Sequence, residues 1–200
     1  MTNTETKIKV QLGTEDYDIN GITINQWEVI NKWDEEKTKW TNSDLISLIL
    51  GVNIEQVKKA TLQQINFVGN FLQNYITQKS QKESLKMLVK KGDEMLGLVK
   101  PSQLTYGEYV DLETLMALKP LNLKHIAAIL YRPTLEYNEE TGESKIVPYD
   151  YNECLERAEG MGNMLIGDVF SSIFFLIKYN QTLAEDSVLS LEKKMKMKAG

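Results

Sequence analysis

Apolar residues recur every three or four positions through most of this chain, which is the period of an α-helix. The clearest stretch follows Thr61 and places its apolar residues on one helical face: Leu62, Ile65, Val68, Phe71, Leu72 and Ile76. The same spacing, or a capping residue, predicts further helices over residues 25–33, 42–50, 53–60, 79–91, 105–116, 123–131, 151–158 and 164–179, and from residue 180 or 182 onward. The sequence therefore predicts a mainly α fold.

Two short β elements interrupt the helical pattern. Polar and apolar residues alternate over residues 7–12, which predicts a strand, and the Asp- and Gly-rich residues 15–21 predict a turn after it. Extended runs on both sides of a loop that contains Gly142 predict a β-hairpin near residues 134–147. The predicted architecture is two similar helical units packed together, with a short N-terminal β element and this hairpin.

Residues 92–101 are predicted to connect the two units, residues 1–91 and residues 101–200. Each unit has an aliphatic residue, then Thr, then an aromatic residue four positions after the Thr: Ile22, Thr23 and Trp27, and Leu104, Thr105 and Tyr109. This likeness suggests an internal duplication, and duplicated helical units more often build a binding surface than a reaction centre. The alternatives are that any two pairs of amphipathic helices look this similar, and that the chain forms one compact domain.

Composition and charge narrow the class of protein. Hydrophobic residues make up 42% of the chain and charged residues 26%, so a core can form, and the net charge of −5 argues against broad electrostatic binding of nucleic acid. The single cysteine, Cys154, excludes an intrachain disulfide and fits a reducing compartment. The longest apolar stretch, residues 164–177, is too short to cross a bilayer. We expect a soluble intracellular protein.

No catalytic, cofactor-binding or metal-binding residue is predicted. His125 is the only histidine and begins an apolar helix, which favours a structural role over a catalytic triad or a histidine-rich metal site. Cys154 is predicted to be buried in a helix. Residues 16–21 match the first half of a calcium-binding loop, but the twelfth position is Trp27 in place of Glu, which favours a polar turn.

One aromatic residue and two basic segments are candidates for contact with a partner. Trp40 lies among charged residues, and an exposed Trp is a natural anchor for another protein. Near the C-terminus lysines are interspersed with methionines, which adapt to protein surfaces; this candidate segment is Lys193, Lys194, Met195, Lys196, Met197 and Lys198. The alternative for this segment is a solubilising tail. Lysines also recur over residues 79–91, where a solvated helix face is favoured over a nucleic-acid site.

Four short motifs are spread over the chain: Ile22, Thr23, Gln26 and Trp27; Leu45, Ile46, Ser47 and Leu48 with Gly51 and Val52; Leu104, Thr105, Gly107, Glu108 and Tyr109; and Ile129, Leu130, Tyr131, Arg132 and Pro133. Together they resemble small helical proteins encoded in the virion-assembly regions of tailed phages. Some of those are tail assembly chaperones and others are minor virion components. The resemblance implies a non-enzymatic role, either keeping a virion protein soluble or occupying a position in the particle. It carries over no functional residue.

We therefore expect a non-enzymatic protein-binding factor or structural component in the assembly of a tailed bacteriophage particle, in the tail or head–tail region. The expected partners are virion or assembly proteins, or further copies of the chain, with no cofactor, no membrane and no nucleic acid as the main partner. Such a protein would act in the host cytoplasm or be retained in the virion. The alternatives are a minor nucleic-acid-associated protein that uses its lysine segments, and an enzyme without a legible motif.

Overall fold

Helices and antiparallel strands both contribute to the fold in the computed structural model, which describes residues 8–19, 21–36, 39–78 and 85–198. The backbone alone is described at residues 8, 34, 35, 73–78 and 183–198. The helices are α1 (Ile24–Glu35), α2 (Asn42–Leu50), α3 (Ile54–Val57), α4 (Leu62–Gln78), α5 (Tyr106–Ala117), α6 (Leu123–Leu130), α7 (Tyr151–Ala158) and α8 (Ile166–Lys198). The strands are β1 (Ile8–Leu12), β2 (Glu15–Ile19), β3 (Leu88–Lys91), β4 (Glu94–Leu98), β5 (Tyr131–Asn138) and β6 (Glu143–Ile146), and short 3-10 turns lie at Pro101–Gln103 and Glu159–Asn163.

The prediction of a mainly α fold is wrong, because two antiparallel sheets accompany the helices. Helices hold 55% of the chain and strands 20%, so the protein is a mixed α and β protein. The strands that were not predicted lie where the sequence indicated a turn over residues 15–21, a basic helix over residues 79–91 and a connector over residues 92–101. Residues 79–84 of the predicted basic helix lie outside the described residues.

Two-residue turns account for the missed strands. Gly13 and Thr14 join β1 to β2, and Gly92 and Asp93 join β3 to β4. The φ angle is 65° at Gly13 and 60° at Gly92, a left-handed conformation that tight hairpins need and that glycine adopts at little cost. A glycine and a small polar residue between two short runs is a hairpin signal. In residues 79–91 the leucines and lysines also have helical spacing, which favoured a helix over this hairpin.

The larger sheet has the strand order β3-β4-β5-β6, and the β5–β6 pair confirms the hairpin near residues 134–147. Side chains of β6 fold over the backbone of β4 at Gly97. A Cβ atom at Gly97 would lie 2.6 Å from Cγ2 of Ile146 and 3.1 Å from Oγ of Ser144. The missing side chain at this position therefore permits the close approach of the hairpin to β4.

Helix α2 shows how local signals set the helix ends. The hydroxyl of Thr41 accepts the N–H of Asp44 at 3.3 Å, and the Asp44 carboxylate accepts the N–H of Thr41 at 2.8 Å. The cap therefore lies one residue before the predicted start of the helix at residue 42. Gly51 ends the helix with a φ of 66°, directly after the predicted end at residue 50.

Buried apolar residues form a single cluster that runs from Val10 to Leu176. Strand β4 lies inside the predicted connector and pairs with β5, so backbone hydrogen bonds join the two sides of that segment. The division into residues 1–91 and residues 101–200 stays a prediction, as does the internal duplication.

The start of α8 is tied to the start of α1 by two backbone hydrogen bonds. Ile24 donates to the carbonyl of Met164, and Ile166 donates to the carbonyl of Ile22, both at 2.9 Å. These bonds place α8 against the first helix of the chain, across most of the length of the sequence.

Helix α8 is continuous, although the sequence predicted a new helix from residue 180 or 182. The hydroxyl of Thr182 donates to the carbonyl of Lys178 at 3.1 Å, so it bonds within the helix and does not cap a new one. In the part of the chain that the structure describes, no helix combines the length and the apolar character needed to cross a membrane.

Candidate protein-binding surface

Helix α5 carries apolar side chains on the side that faces away from the core. Tyr106 is 82% exposed, Tyr109 36% and Val110 38%. Steps of three and four residues place them along one side of the helix, which we call the α5 outer face. A surface helix normally carries polar residues on this side, so the α5 outer face is a candidate for contact with another protein.

The opposite side of α5 buries a carboxylate. Glu108 is 1% exposed, and its Oε1 lies 2.8 Å from Nη2 of Arg132 on β5. Its Oε2 accepts the backbone N–H of Thr105 at 2.6 Å, which completes a capping box. Leu112 and Leu115 fill the rest of the buried side. The buried side of α5 therefore carries a charged residue, and its exposed side carries two tyrosine rings.

The environment of Arg132 fixes the rotation of α5 about its axis. Burial lowers the pKa of Arg132, although Glu108 opposes this shift. The guanidinium lies 6.0 Å from the ring centroid of Tyr149, whose hydroxyl donates to Oδ2 of Asp111 on α5 at 2.5 Å. Burial, and then the hydrogen bond to Asp111, raise the pKa of Tyr149. Two residues of α5, Glu108 and Asp111, are thus held by groups outside the helix.

An apolar groove of about 340 Å³ separates α5 from α8. We call it the α5–α8 groove, and its lining residues are Leu104, Tyr109, Leu112, Glu113, Met116, Leu176, Ile177, Asn180 and Gln181. Glu113 is the one charged group among these described residues. Tyr109 thus borders both the groove and the α5 outer face.

A polar groove of about 700 Å³ lies between the β5–β6 hairpin and the start of α5. Each cation described in its lining has an acidic neighbour: Lys100 lies 3.1 Å from Glu143, Arg132 2.8 Å from Glu108, and Lys145 3.8 Å from Glu136. Opposite charges therefore balance one another along this groove. The pairs at Glu143 and Glu136 are exposed and contribute little stability.

His125 lines a cleft of about 560 Å³ with Trp27, Glu28 and other residues of α1 and α6. Its Nδ1 lies 2.6 Å from Nδ2 of Asn122, and the Asn122 Oδ1 accepts the His125 N–H at 3.2 Å. Asn122 caps α6 through this second bond, so its amide nitrogen faces Nδ1 of the ring. His125 is thereby held as part of a helix cap.

Lys124 bridges two acidic residues beside this cleft, at 3.2 Å from Glu28 and 3.3 Å from Glu159. Burial acts to lower the pKa of Lys124, but the hydrogen bonds to the two carboxylates outweigh it and the pKa is raised. The lysine is thus a charged link between α1, α6 and the turn after α7. Across the described residues, no three His, Cys, Asp or Glu side chains are placed to hold a metal ion.

Cys154 is buried, as predicted, and its thiol donates to the carbonyl of Ala128 at 3.5 Å. Burial raises the pKa of the thiol, although Arg157 and Arg132 oppose the shift. The side chain therefore serves as an apolar contact between α6 and α7 in its thiol form.

Trp40 packs against the core and stacks on Trp33, with ring centroids 6.1 Å apart and 27° between the ring planes. Its ring is half-buried, and its role as an anchor for a partner stays a prediction. Residues 16–19 of the calcium-like turn belong to β2, and Asn20 lies outside the described residues.

The lysine- and methionine-rich candidates occupy the last turns of α8, where the backbone alone is described: Lys193, Lys194, Met195, Lys196, Met197 and Lys198. Their predicted contact with a partner stays a prediction. The segment therefore continues a helix that is anchored in the core at its other end.

The sequence reasoning missed the α5 outer face, although a signal was present. The helix predicted over residues 105–116 has the apolar residues Tyr109, Val110, Leu112, Leu115 and Met116. These residues do not share one face, because they cover more than half of the helix circumference. A helix that is apolar on two sides either is buried all round or exposes one side to a partner.

Comparison with protein-family models, with curated proteins and with solved structures gave no match to this chain.

Proposed function

We propose that this protein is a non-enzymatic assembly factor or small structural component of a tailed bacteriophage particle, and that it binds another virion protein through the α5 outer face. The observation that carries the proposal is the exposure of Tyr106, Tyr109 and Val110 on a helix whose opposite side holds a buried ion pair. Exposed apolar stripes mark interaction sites, and tyrosine is enriched at protein interfaces.

The motifs that resemble phage assembly proteins occupy structural positions in the first half of the chain. Thr23 donates its N–H to Oε1 of Gln26 at 2.9 Å, and Gln26 donates its N–H to Oγ1 of Thr23 at 3.3 Å. The amide nitrogen of Gln26 also donates to the carbonyls of Leu48 and Ile49 at the end of α2. The first motif therefore holds the helix of the second.

The third and fourth motifs are connected in the same way. Thr105 and Glu108 form the capping box of α5, and Glu108 pairs with Arg132, the second residue of β5. In the first half of the chain the motif residues join α1 to α2, and in the second half they join α5 to β5, so their polar side chains hold parts of the fold together. This supports a binding role in place of catalysis.

The test is co-purification from infected cells, with the bound chains identified by mass spectrometry. We expect a virion structural protein to co-elute at moderate salt. Tyr106→Asp combined with Val110→Asp should weaken that binding by roughly tenfold or more, because central aromatic contacts dominate interface energies. Tyr151→Asp on α7 is the matched control, since Tyr151 is also exposed, and it should bind as the unchanged protein does.

Failure to recover any virion protein, or equal weakening by Tyr151→Asp, would contradict the proposal. Recovery of nucleic acid whose binding falls steeply with added salt would favour the alternative role of the lysine segments. Trp40→Ala and removal of residues 193–200 test the other predicted contacts separately.

A further inference from the structure

Helix α8 has a second apolar stripe beside the side that packs on the core. Val169, Ile173 and Leu176 are buried, whereas Phe174 is 51% exposed and Ile177 41% exposed. Phe174 and Ile177 are three residues apart, so they lie along one side of the helix. Residues of this kind on an exposed side indicate a further contact surface.

The sequence of α8 continues this stripe in alternating steps of three and four residues. After Phe174 the positions are Ile177, Gln181, Ala184, Val188, Leu191 and Met195, of which Gln181 alone is polar. Such spacing over three heptads is the pattern of a coiled-coil seam, which requires a partner helix with the same spacing. The helix has 33 residues, and at 1.5 Å per residue it is about 50 Å long, which is enough for such a seam.

We propose that α8 forms an antiparallel coiled coil with α8 of a second copy of this chain. Pairing residues 174–198 of both copies places position 177 opposite position 195, and position 181 opposite position 191. Positions 184 and 188 then meet at the centre. The same stripe of each copy therefore contacts its counterpart across a twofold axis, as a symmetric dimer requires.

The charges beside the seam favour the antiparallel orientation. In this pairing Lys178 of one copy lies beside Glu192 of the other, and the symmetry of the dimer repeats the pair. Lys194 lies beside Asn180, which lines the α5–α8 groove together with Glu113. A parallel pairing would place Glu185 beside Asn180 and would bring no opposite charges together.

One like-charge contact remains in this arrangement. Glu185 lies next to its own counterpart at the twofold axis, where two carboxylates repel each other. This contact is specific to the antiparallel pairing and so provides a test of orientation.

The inference goes beyond the proposed function, because Tyr106 and Val110 of the α5 outer face are not part of the α5–α8 groove. A substitution in the seam should therefore change the oligomeric state of the protein in solution and leave the α5 outer face intact. The two proposals can fail independently.

Sedimentation equilibrium of the full chain tests the dimer. We expect a reversible dimer, and Leu191→Asp should convert it to a monomer. Leu189→Asp is the matched control, because position 189 lies outside the seam, and this variant should remain a dimer. Circular dichroism of each variant establishes that the chain is folded. A monomer at every concentration, a larger assembly, or equal disruption by Leu189→Asp would overturn the proposal.

Cysteine cross-linking tests the orientation, and buried Cys154 should not take part. A mixture of Ile177→Cys and Met195→Cys chains should form a disulfide-linked heterodimer on oxidation, whereas Ile177→Cys alone should not. Glu185→Gln should tighten the dimer by about twofold, because it removes the repulsion at the axis. Cross-linking of Ile177→Cys chains to themselves, or weaker association of Glu185→Gln, would overturn the antiparallel pairing.

Discussion

The buried ion pair between Glu108 and Arg132 determines which side of α5 faces outward. Both side chains are buried, so removal of one leaves the other as an uncompensated charge in the core. Glu108→Leu should therefore lower the free energy of unfolding by about 3–5 kcal/mol, measured by urea denaturation. The double variant Glu108→Leu with Arg132→Met should be more stable than Glu108→Leu, because no charge is left unpaired.

The exposed pair of Lys58 and Glu55, 2.7 Å apart, is the matched control. Lys58→Met should change the free energy of unfolding by less than about 1 kcal/mol, because solvent screens exposed ion pairs. A similar cost for Lys58→Met and Glu108→Leu would show that burial of the α5 pair contributes no particular stability.

At the residue scale, the sequence predicted those features that depend on residues close in the chain. The cap at Thr105 and the burial of Cys154 follow from the residues beside them. The pairing of Glu108 with Arg132 joins positions far apart in the chain, so local spacing carried no signal for it. The exposure of Tyr106 follows from that pairing, because the pairing decides which of the two apolar sides of α5 faces outward.

Among the secondary-structure elements, the β5–β6 hairpin depends on a glycine in the facing strand. Gly97→Ala would place a methyl group 2.6 Å from Cγ2 of Ile146, closer than two carbon atoms can approach. We expect a loss of about 1–3 kcal/mol in the free energy of unfolding, the usual cost of overpacking. Adding Ile146→Ala to Gly97→Ala should recover part of this loss, because the two substitutions act at one contact.

Gly107→Ala on α5 is the control for this prediction. Nothing lies within 4 Å of the new methyl group there, and alanine favours a helix more than glycine does. The variant should therefore be at least as stable as the unchanged protein. Equal effects of Gly97→Ala and Gly107→Ala on thermal or urea unfolding would contradict the packing of β6 on β4.

Prediction of elements from the sequence succeeded where an end signal was unambiguous. Gly51 ended α2, and Gly142 marked the loop of the β5–β6 hairpin. It failed at β3, where strand pairing outweighed a helical spacing of apolar residues, and at β4, which was predicted as a connector and pairs with β3 and β5. It also placed a helix start at Asn180 or Thr182, since such residues cap helices as readily as they occur inside them.

The whole molecule has a core that spans both of the units expected from the sequence. Buried residues from Val10 to Leu176 form one cluster, and β4 and β5 join the two sides of residues 92–101. A repeated local motif does not predict contacts between residues so far apart in the sequence. The motif at Thr23 and the motif at Thr105 instead make similar helix joints at two places in one structure.

This arrangement predicts that the chain unfolds in one cooperative transition. Trp33 and Trp40 stack on each other in the first unit, whereas Trp27 contacts Phe170 of α8. In a Trp27→Phe variant the tryptophan fluorescence therefore reports on residues 1–91. Far-ultraviolet circular dichroism reports on helices of both units. Because the shared core must open as a whole, the two signals should give the same midpoint in urea and the same slope. Two separate midpoints would instead show that residues 1–91 and residues 101–200 unfold independently, as the sequence suggested, and that the contacts between β4 and β5 do not couple them.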